Sequence, residues 1–95
     1  MPKGYIIARV DVQNEEEYAK YAAFAIPVIK SFGGRVLVRG GPCEVLEGSG
    51  RSRNVVIEFE SFEQAKAYYK SAEYGQARAL REGYAIADFI AVEGA

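Results

Sequence analysis

The chain contains no histidine, and its only cysteine is Cys43. Without histidine, the Ser-His-Asp and Cys-His nucleophile systems, histidine metal sites and acid–base work by imidazole are excluded. A single cysteine rules out an internal disulfide and agrees with a reducing compartment. Any catalysis must therefore use carboxylates, tyrosines, arginines, lysines or this one thiol.

An excess of charge and a long apolar run are missing as well. Twelve basic and thirteen acidic residues give a formal net charge of −1, which points neither to nucleic acid nor to an anionic membrane. No apolar run is long enough for a bilayer and the N-terminus has no signal-peptide core, so the expected location is the cytoplasm. A length of 95 residues predicts one domain, over residues 1–95, with one modest core.

The first half of the chain has a strand–helix–strand pattern. Residues 5–12 alternate between apolar and polar side chains, which predicts a strand. Asn14 is a candidate helix N-cap, and Gly33-Gly34 is a candidate helix end. A short strand follows over residues 35–39. Gly40-Gly41-Pro42 interrupts it as a predicted bulge, and the strand is expected to resume over residues 43–47 before a turn at Gly48-Ser49-Gly50.

The second half repeats this order. Residues 53–60 alternate again, with Val55, Ile57 and Phe59 on the expected core side. Ser61 is a candidate N-cap, with Gln64 at the capping-box position, and Ser71 opens a further short helix. Residues 84–92 form the last predicted strand.

The resulting order is β-α-β-β-α-β. With right-handed crossovers it predicts an α+β, ferredoxin-like sandwich, in which a four-stranded antiparallel sheet carries its helices on one face. The other face mixes large apolar groups with charges, which suits neither free solvent nor an unpaired core, so we expect a second copy of the chain to cover it. The predicted members of this uncovered face are Tyr5, Ile7, Arg9, Asp11, Arg35, Leu37, Arg39, Val56, Glu58, Ile86, Asp88 and Ile90.

Arg39 is the most informative single residue of that set. Simple alternation places Val36 and Val38 on the covered face and Arg39 on the uncovered one. A structural ion pair at the dimer interface is the favoured interpretation. The alternatives are a fork that binds a carboxylate or another anion, and a solvated side chain.

The predicted strand register also indicates which residues lie beside Arg39. A turn near residue 50 would set Val45 opposite Val55, and the predicted bulge would then bring Arg39 near Glu58 or Glu60.

Carboxylates on the uncovered face are the candidates for catalysis. A partly buried Asp11 or Glu58 could act as a general base beside a carbonyl, with Arg39 stabilising the enolate. The favoured alternative is that these acids simply pair with Arg9 and Arg39. Arg9 is therefore also a candidate ligand-binding residue.

Three further side-chain types have structural explanations beside functional ones. The tyrosines suit a core whose hydroxyls reach the surface, but Tyr18 and Tyr69 could line a pocket between helix and sheet. Cys43 is interpreted as a small structural residue. Arg51 and Arg53 are interpreted as a solvated turn rather than as an anion-binding patch. No metal-ligand spacing is present, and no cofactor is expected.

Several stretches, taken together and in this order, resemble the domain of unknown function 1330 family. They are Lys3 to Val12, Arg39-Gly40-Gly41, Leu46-Glu47-Gly48, Arg53 to Phe59, Tyr69, Ser71, Glu73-Tyr74, Arg81 and Val92-Glu93-Gly94.

This resemblance implies a member of the dimeric α+β barrel superfamily, in which two ferredoxin-like sheets pack into a barrel. That superfamily includes muconolactone isomerases, antibiotic-biosynthesis monooxygenases, stress-responsive proteins and haem-dependent chlorite dismutases. The haem branch is disfavoured because no histidine is available as the proximal ligand. The family itself implies no established reaction.

Two functions of different classes follow from these observations. The first is a homodimer that binds a small anionic or aromatic ligand and acts as a cofactor-independent isomerase or monooxygenase-like enzyme on a small carbonyl compound or aromatic acid. The alternative is a non-catalytic, dimeric binding or stress-associated module whose barrel charges are structural. Neither nucleic acid nor a membrane is an expected partner.

Overall fold

The computed structural model describes residues 2–95 and forms one antiparallel sheet of strand order β2-β3-β1-β4, with helices on one face. This arrangement confirms the predicted α+β architecture. Within the described residues, no helix is both long and apolar enough to cross a membrane. The elements are β1 (Gly4–Val12), α1 (Glu15–Ser31), β2 (Arg35–Arg39), β3 (Arg53–Phe59), α2 (Phe62–Lys70), α3 (Ala72–Arg81) and β4 (Ala85–Glu93).

Side-chain caps begin each helix. Asn14, Ser61 and Ser71 accept hydrogen bonds from the backbone N–H three residues later, at 3.1, 3.0 and 3.0 Å, as predicted. The predicted capping box at α2 is only half formed. The Gln64 side chain instead donates to the carbonyl of Phe32 at 3.0 Å. This bond ties the start of α2 to the end of α1.

The core lies between the covered face of the sheet and the three helices. Tyr68 and Tyr74 stand at its centre, with 1% and 0% of their surfaces exposed. Their rings pack against each other, with centroids 5.0 Å apart. The strands contribute the apolar side chains Ile6, Ala8, Val10, Ile57 and Phe59.

The predicted continuation of the second strand is wrong. Residues 43–47 form no strand, and the chain between β2 and β3 is irregular. Gly40 turns the backbone away with a φ of +62°, and Pro42 has no N–H to donate to a ladder. Val45 is consequently 51% exposed and does not pair with Val55.

The irregularity of β2 lies inside the strand rather than at residues 40–42. Val36 pairs with Ile57 and Val38 pairs with Val56, so Leu37 is an extra residue with no opposite number on β3. Since side chains alternate with a period of two, one extra residue reverses the faces of those that follow. Val38 therefore lies beside Val56 on the uncovered face and is 43% exposed, contrary to the prediction.

The same bulge moves Arg39 to the covered face. It pairs with Val55, whose neighbour on β1 is the buried Ala8. The predicted neighbours Glu58 and Glu60 are wrong. Glu58 lies opposite Arg35 instead.

The rest of the uncovered face follows the predicted alternation. β1 lies between β3 and β4, and its residues Tyr5, Ile7 and Arg9 face outward with their neighbours on both strands. Those neighbours on this face are Asn54, Val56, Glu58, Asp88, Ile90 and Val92.

Candidate functional site

A pocket lies between α1 and the covered face of the sheet, close to the end of β2. Its volume is about 50 Å³, which is room for a few water molecules or a small part of a ligand. Aliphatic side chains from α1 and the strands form much of its wall. Its remaining lining is aromatic or basic: Tyr18, Tyr21, Tyr68, Phe89, Arg39 and Arg53.

Arg53 enters this wall from β3. It pairs with Val10 and so shares the covered face with Val55. Its guanidinium carbon lies 5.2 Å from the ring centroid of Tyr18, a cation–π contact. Its Nε is buried and has no hydrogen-bond partner among the described residues. Burial therefore leaves one donor of this cation unused.

Gly40 is needed for this placement of Arg53. A Cβ built on Gly40 would lie 2.6 Å from Nη1 of Arg53, and the backbone φ of +62° also disfavours any side chain. The Gly40 N–H donates to the carbonyl of Asn54 at 2.8 Å. The chain leaving β2 thus passes directly over the guanidinium.

Arg39 and Arg53 give the pocket a positive wall. Arg39 is exposed, whereas Arg53 is partly buried. Neither forms a salt bridge with any residue from 2 to 95. No carboxylate lines the pocket in the described part of the chain. The combination of an apolar body and two guanidinium groups suits an anionic group attached to an apolar or aromatic skeleton.

The tyrosines beneath the pocket remain neutral. The hydroxyls of Tyr21 and Tyr74 are 2.9 Å apart and buried. Burial raises the pKa of Tyr21, Tyr68 and Tyr74 above the ordinary value. These side chains can donate a hydrogen bond near neutral pH but cannot act there as phenolate bases.

Asp11 lies on the other face of the sheet, in a cluster organised by Arg51. Arg51 Nη1 donates to Asp11 Oδ2 at 2.6 Å, and its Nε donates to Asp88 Oδ2 at 3.0 Å. Asp88 and Asp11 accordingly raise the pKa of Arg51 above its ordinary value. The expectation of a solvated Arg51 is wrong, because these bonds hold its side chain at 24% exposure. Arg9 lies 3.9 Å from Asp88 rather than beside Asp11.

Glu58 is also paired on the uncovered face. It accepts a hydrogen bond from the Tyr5 hydroxyl at 3.0 Å and one from Arg35 at 3.3 Å. The sheet separates it from Arg39. These two residues, predicted as partners, are therefore not placed to act on one ligand.

Tyr18 and Tyr69 lie in different cavities. Tyr18 lines the pocket with Arg39 and Arg53, whereas Tyr69 lines a cavity under α2 and α3. The Tyr69 ring packs against Tyr74 with centroids 4.8 Å apart. Of the five predicted ligand-binding residues, the structure thus brings only Arg39 and Tyr18 together.

The interpretation of Arg53 as part of a solvated turn is wrong, although the sequence held a signal for its place in the pocket wall. The alternation that placed Val55, Ile57 and Phe59 in the core extends backward to residue 53, which shares their face. Cys43 is exposed, and its sulfur accepts a hydrogen bond from Asn54 Nδ2 at 3.2 Å. Residues 2–95 contain no group of three or more carboxylates and thiols arranged to hold a metal ion.

This sheet order, with its helices on one face, defines a protein of the ferredoxin-like class, and solved structures agree. A protein of unknown function from Rhodopseudomonas palustris superposes with a TM-score of 0.79 at 18% identity, over 99% of this chain and 83% of that one. A dimeric protein of unknown function and ferredoxin-like fold from Bacteroides fragilis gives 0.60 at 14% identity, over 96% and 95%. A candidate antibiotic biosynthesis monooxygenase from Nitrosomonas europaea gives 0.58 at 15% identity, over 97% of each chain.

The chain belongs to the domain of unknown function 1330 family, whose profile matches residues 3–95. This match confirms the resemblance found in the sequence. Among curated proteins, none matches the chain. At the identities given above, the similarity to solved structures shows a shared fold.

Proposed function

We propose that this protein is a homodimer that binds a small aromatic or carbonyl-containing acid at the pocket between α1 and the sheet, with only part of the ligand inside it. Arg39 and Arg53 hold the carboxylate, and the ring of Tyr18 packs against the skeleton of the ligand. The observation that carries this proposal is the pair of guanidinium groups, without carboxylate partners among residues 2–95, on the wall of a largely apolar pocket. Such forks recognise carboxylates with two parallel hydrogen bonds.

Binding without catalysis is the form of this function that the carboxylates favour. Asp11 and Glu58, the candidate general bases, are ion-paired on the opposite face of the sheet. The described pocket lining offers no carboxylate to remove a proton. A ligand held by Arg39 would therefore meet cations and neutral tyrosines, which bind and orient it.

A cofactor-independent reaction on the same ligand is the second candidate. Arginines beside a carbonyl compound stabilise negative charge that develops on an enolate, whether in isomerisation or in oxygenation. The Nitrosomonas europaea protein, described as a candidate monooxygenase, shares this fold and supports the second candidate. In that case the substrate itself would be acidic enough to lose its proton to water, because the described pocket lining offers no carboxylate base.

Titration with benzoate tests the binding site. We expect benzoate to bind with a Kd of about 1 mM, and Arg39→Ala to weaken it roughly tenfold, because a hydrogen bond to a charged group is lost. Lys30→Ala is the control, since it removes an exposed cation of α1 that does not line the pocket. Binding is followed by amide chemical shifts.

Two results would contradict the site. One is equal affinity of the wild type and Arg39→Ala for benzoate. The other is equal affinity of the wild type for benzoate and for neutral benzamide, since the proposal depends on the charge. An Arg53→Ala variant with the same loss as Arg39→Ala would place both arginines on one ligand.

The proposed second copy covers the uncovered face. Three arginines, Arg9, Arg35 and Arg51, there meet three carboxylates of Asp11, Glu58 and Asp88 within salt-bridge distance. The charged part of this face is consequently neutral, and like faces do not repel one another. Exposed apolar groups lie between the pairs, among them Val38, Ile86, Ile90 and Val92.

A further inference from the structure

A second cavity lies beside the edge strand β4, under α2 and α3. Its volume is about 250 Å³. Apolar residues of β1 and β4 form its floor, and its other lining includes Tyr69 and four cations but, within the described residues, no carboxylate. We call it the basic cavity. The four cations are Lys66, Lys70, Arg78 and Arg81.

Two of these cations already have partners outside the lining. Lys66 Nζ lies 3.2 Å from Glu63, and Arg78 Nε lies 3.6 Å from Glu82. Both acids are largely exposed, so water screens these pairs. Lys70 and Arg81 form no salt bridge with any residue from 2 to 95. Two positive charges therefore remain without a counter-charge.

Arg81 is the buried charged residue in the lining of the basic cavity. It is only 8% exposed, although it carries a full charge. Its guanidinium carbon is held between two rings, 4.9 Å from the centroid of Phe89 and 5.5 Å from that of Tyr21. It donates one long hydrogen bond, of 3.4 Å, to the hydroxyl of Tyr74. Its Nε is buried with no partner in the described chain.

Arg81 lacks an anionic partner and most of the hydrogen bonds that normally stabilise a buried charge. Buried cations are ordinarily paired with an anion and fully hydrogen-bonded, because desolvation of an unpaired charge is costly. The C-terminal dipole of α3, where Arg81 is the last residue, compensates for only part of a charge. An anion bound in the basic cavity would compensate for the rest of the Arg81 charge.

We propose that the basic cavity binds the phosphate group of a small organic phosphate monoester. Such a group carries a charge of about −1.5 to −2 at pH 7, which matches the two uncompensated cations, Lys70 and Arg81. A carboxylate would neutralise only one of them. The rings of Tyr69 and Phe89 offer an apolar surface to the organic part of the molecule.

The basic cavity is separate from the pocket that contains Arg39 and Arg53. The two cavities share Phe89 in their linings but share no cation. The phosphate proposal therefore does not depend on binding of a carboxylic acid in the pocket. A variant that loses ligand binding in one cavity can still be tested for ligand binding in the other.

Calorimetric titration with phenyl phosphate at low salt tests the proposal. We expect binding by the wild type, with Lys70→Gln weakening it about fivefold and Arg81→Gln at least about tenfold, because each removes one of the two free charges. Lys30→Gln is the matched control, an exposed lysine at the end of α1 outside the lining. The backbone amide chemical shifts of Ala87 and Ala91 should change as phenyl phosphate is added.

Several results would overturn the proposal. They are no binding of phenyl phosphate by the wild type, equal affinity of wild type and Lys70→Gln, and amide shifts at Val55 and Val36 in place of Ala87 and Ala91. Arg81→Gln removes a core contact, so its circular dichroism is compared with that of the wild type first. If that variant does not fold, Lys70→Gln, which alters an exposed side chain, decides the matter.

Discussion

Individual buried tyrosine side chains determine how the free energy of unfolding changes at alkaline pH. Tyr21 and Tyr74 share a buried hydrogen bond of 2.9 Å, and Tyr68 packs beside them. Burial is the largest cause that raises the pKa of each of the three above the ordinary value of 10.0. The folded protein therefore keeps these hydroxyls protonated at pH values where the unfolded chain ionises them.

The sign of this linkage predicts alkaline destabilisation. Below pH 10 both states are protonated and the full stability is present. Above it the unfolded state loses protons that the folded state keeps, so the free energy of unfolding falls by about 1.4 kcal/mol per pH unit for each such tyrosine. Thermal unfolding from pH 8 to 11 measures this fall, and Tyr21→Phe should make it shallower.

Tyr84→Phe is the control for this experiment, since Tyr84 is 38% exposed and lies outside the buried group. Its profile should follow the wild type. Identical slopes for Tyr21→Phe and the wild type would contradict the assignment of the alkaline loss to the buried tyrosines.

At the scale of elements, β2 decides which residues reach the pocket. Its extra residue, Leu37, has no partner on β3, so the strand passes from the Val36–Ile57 pair to the Val38–Val56 pair in two residues. Regular alternation would have placed Arg39 on the uncovered face. With the bulge, it lies opposite Val55 and lines the pocket.

Deletion of Leu37 tests this account of β2. Removal of the unpaired residue leaves every pair on either side unchanged, so we expect the free energy of unfolding to change by no more than about 1 kcal/mol. Deletion of Val56, in the neighbouring strand without a bulge, is the control. It reverses the faces of the residues that follow and should cost at least about 3 kcal/mol.

Urea unfolding of the two deletion variants gives the comparison. If removal of Leu37 destabilised the protein as much as removal of Val56, then Leu37 would be a paired residue of a regular strand. The pocket position of Arg39 would then lack its structural basis.

For the whole molecule, the uncovered face of the sheet is the surface proposed to associate with a second copy of the chain. Ile86 and Ile90 are 50% and 56% exposed on it, and its charges are internally paired. Large exposed apolar areas of this kind mark association surfaces. The Bacteroides fragilis protein, which has the same fold, is described as dimeric.

Sedimentation velocity at micromolar concentration tests this association. We expect the wild type to sediment as a dimer and Ile86→Glu to weaken the dimer at least about tenfold, because the new carboxylate would be buried without a partner. Phe24→Glu is the control, since Phe24 is 41% exposed on α1, in the helix layer. A wild-type monomer under these conditions would exclude the homodimer.

The sequence by itself determined the order of elements, their caps and most side-chain faces. Asn14, Ser61 and Ser71 were identifiable because capping is a local interaction between residues three apart. The face shared by Val55, Ile57 and Phe59 followed from strand periodicity. The same rule could have found Arg53, had the alternation been extended by one step.

Only the tertiary structure decided what those faces contact. Whether an extra residue bulges depends on pairing with a strand that follows a long loop, and no pattern within β2 reports it. The partners of Arg51 and Glu58 are likewise distant in sequence, as is Tyr21 beside Arg81, because ion pairs and ring contacts form wherever the packed elements bring them within a few ångströms. Because of the bulge in β2, Arg39 lies on a pocket wall and not at the predicted acidic interface. Because of the packing around α3, Arg81 is a buried cation beside a second cavity.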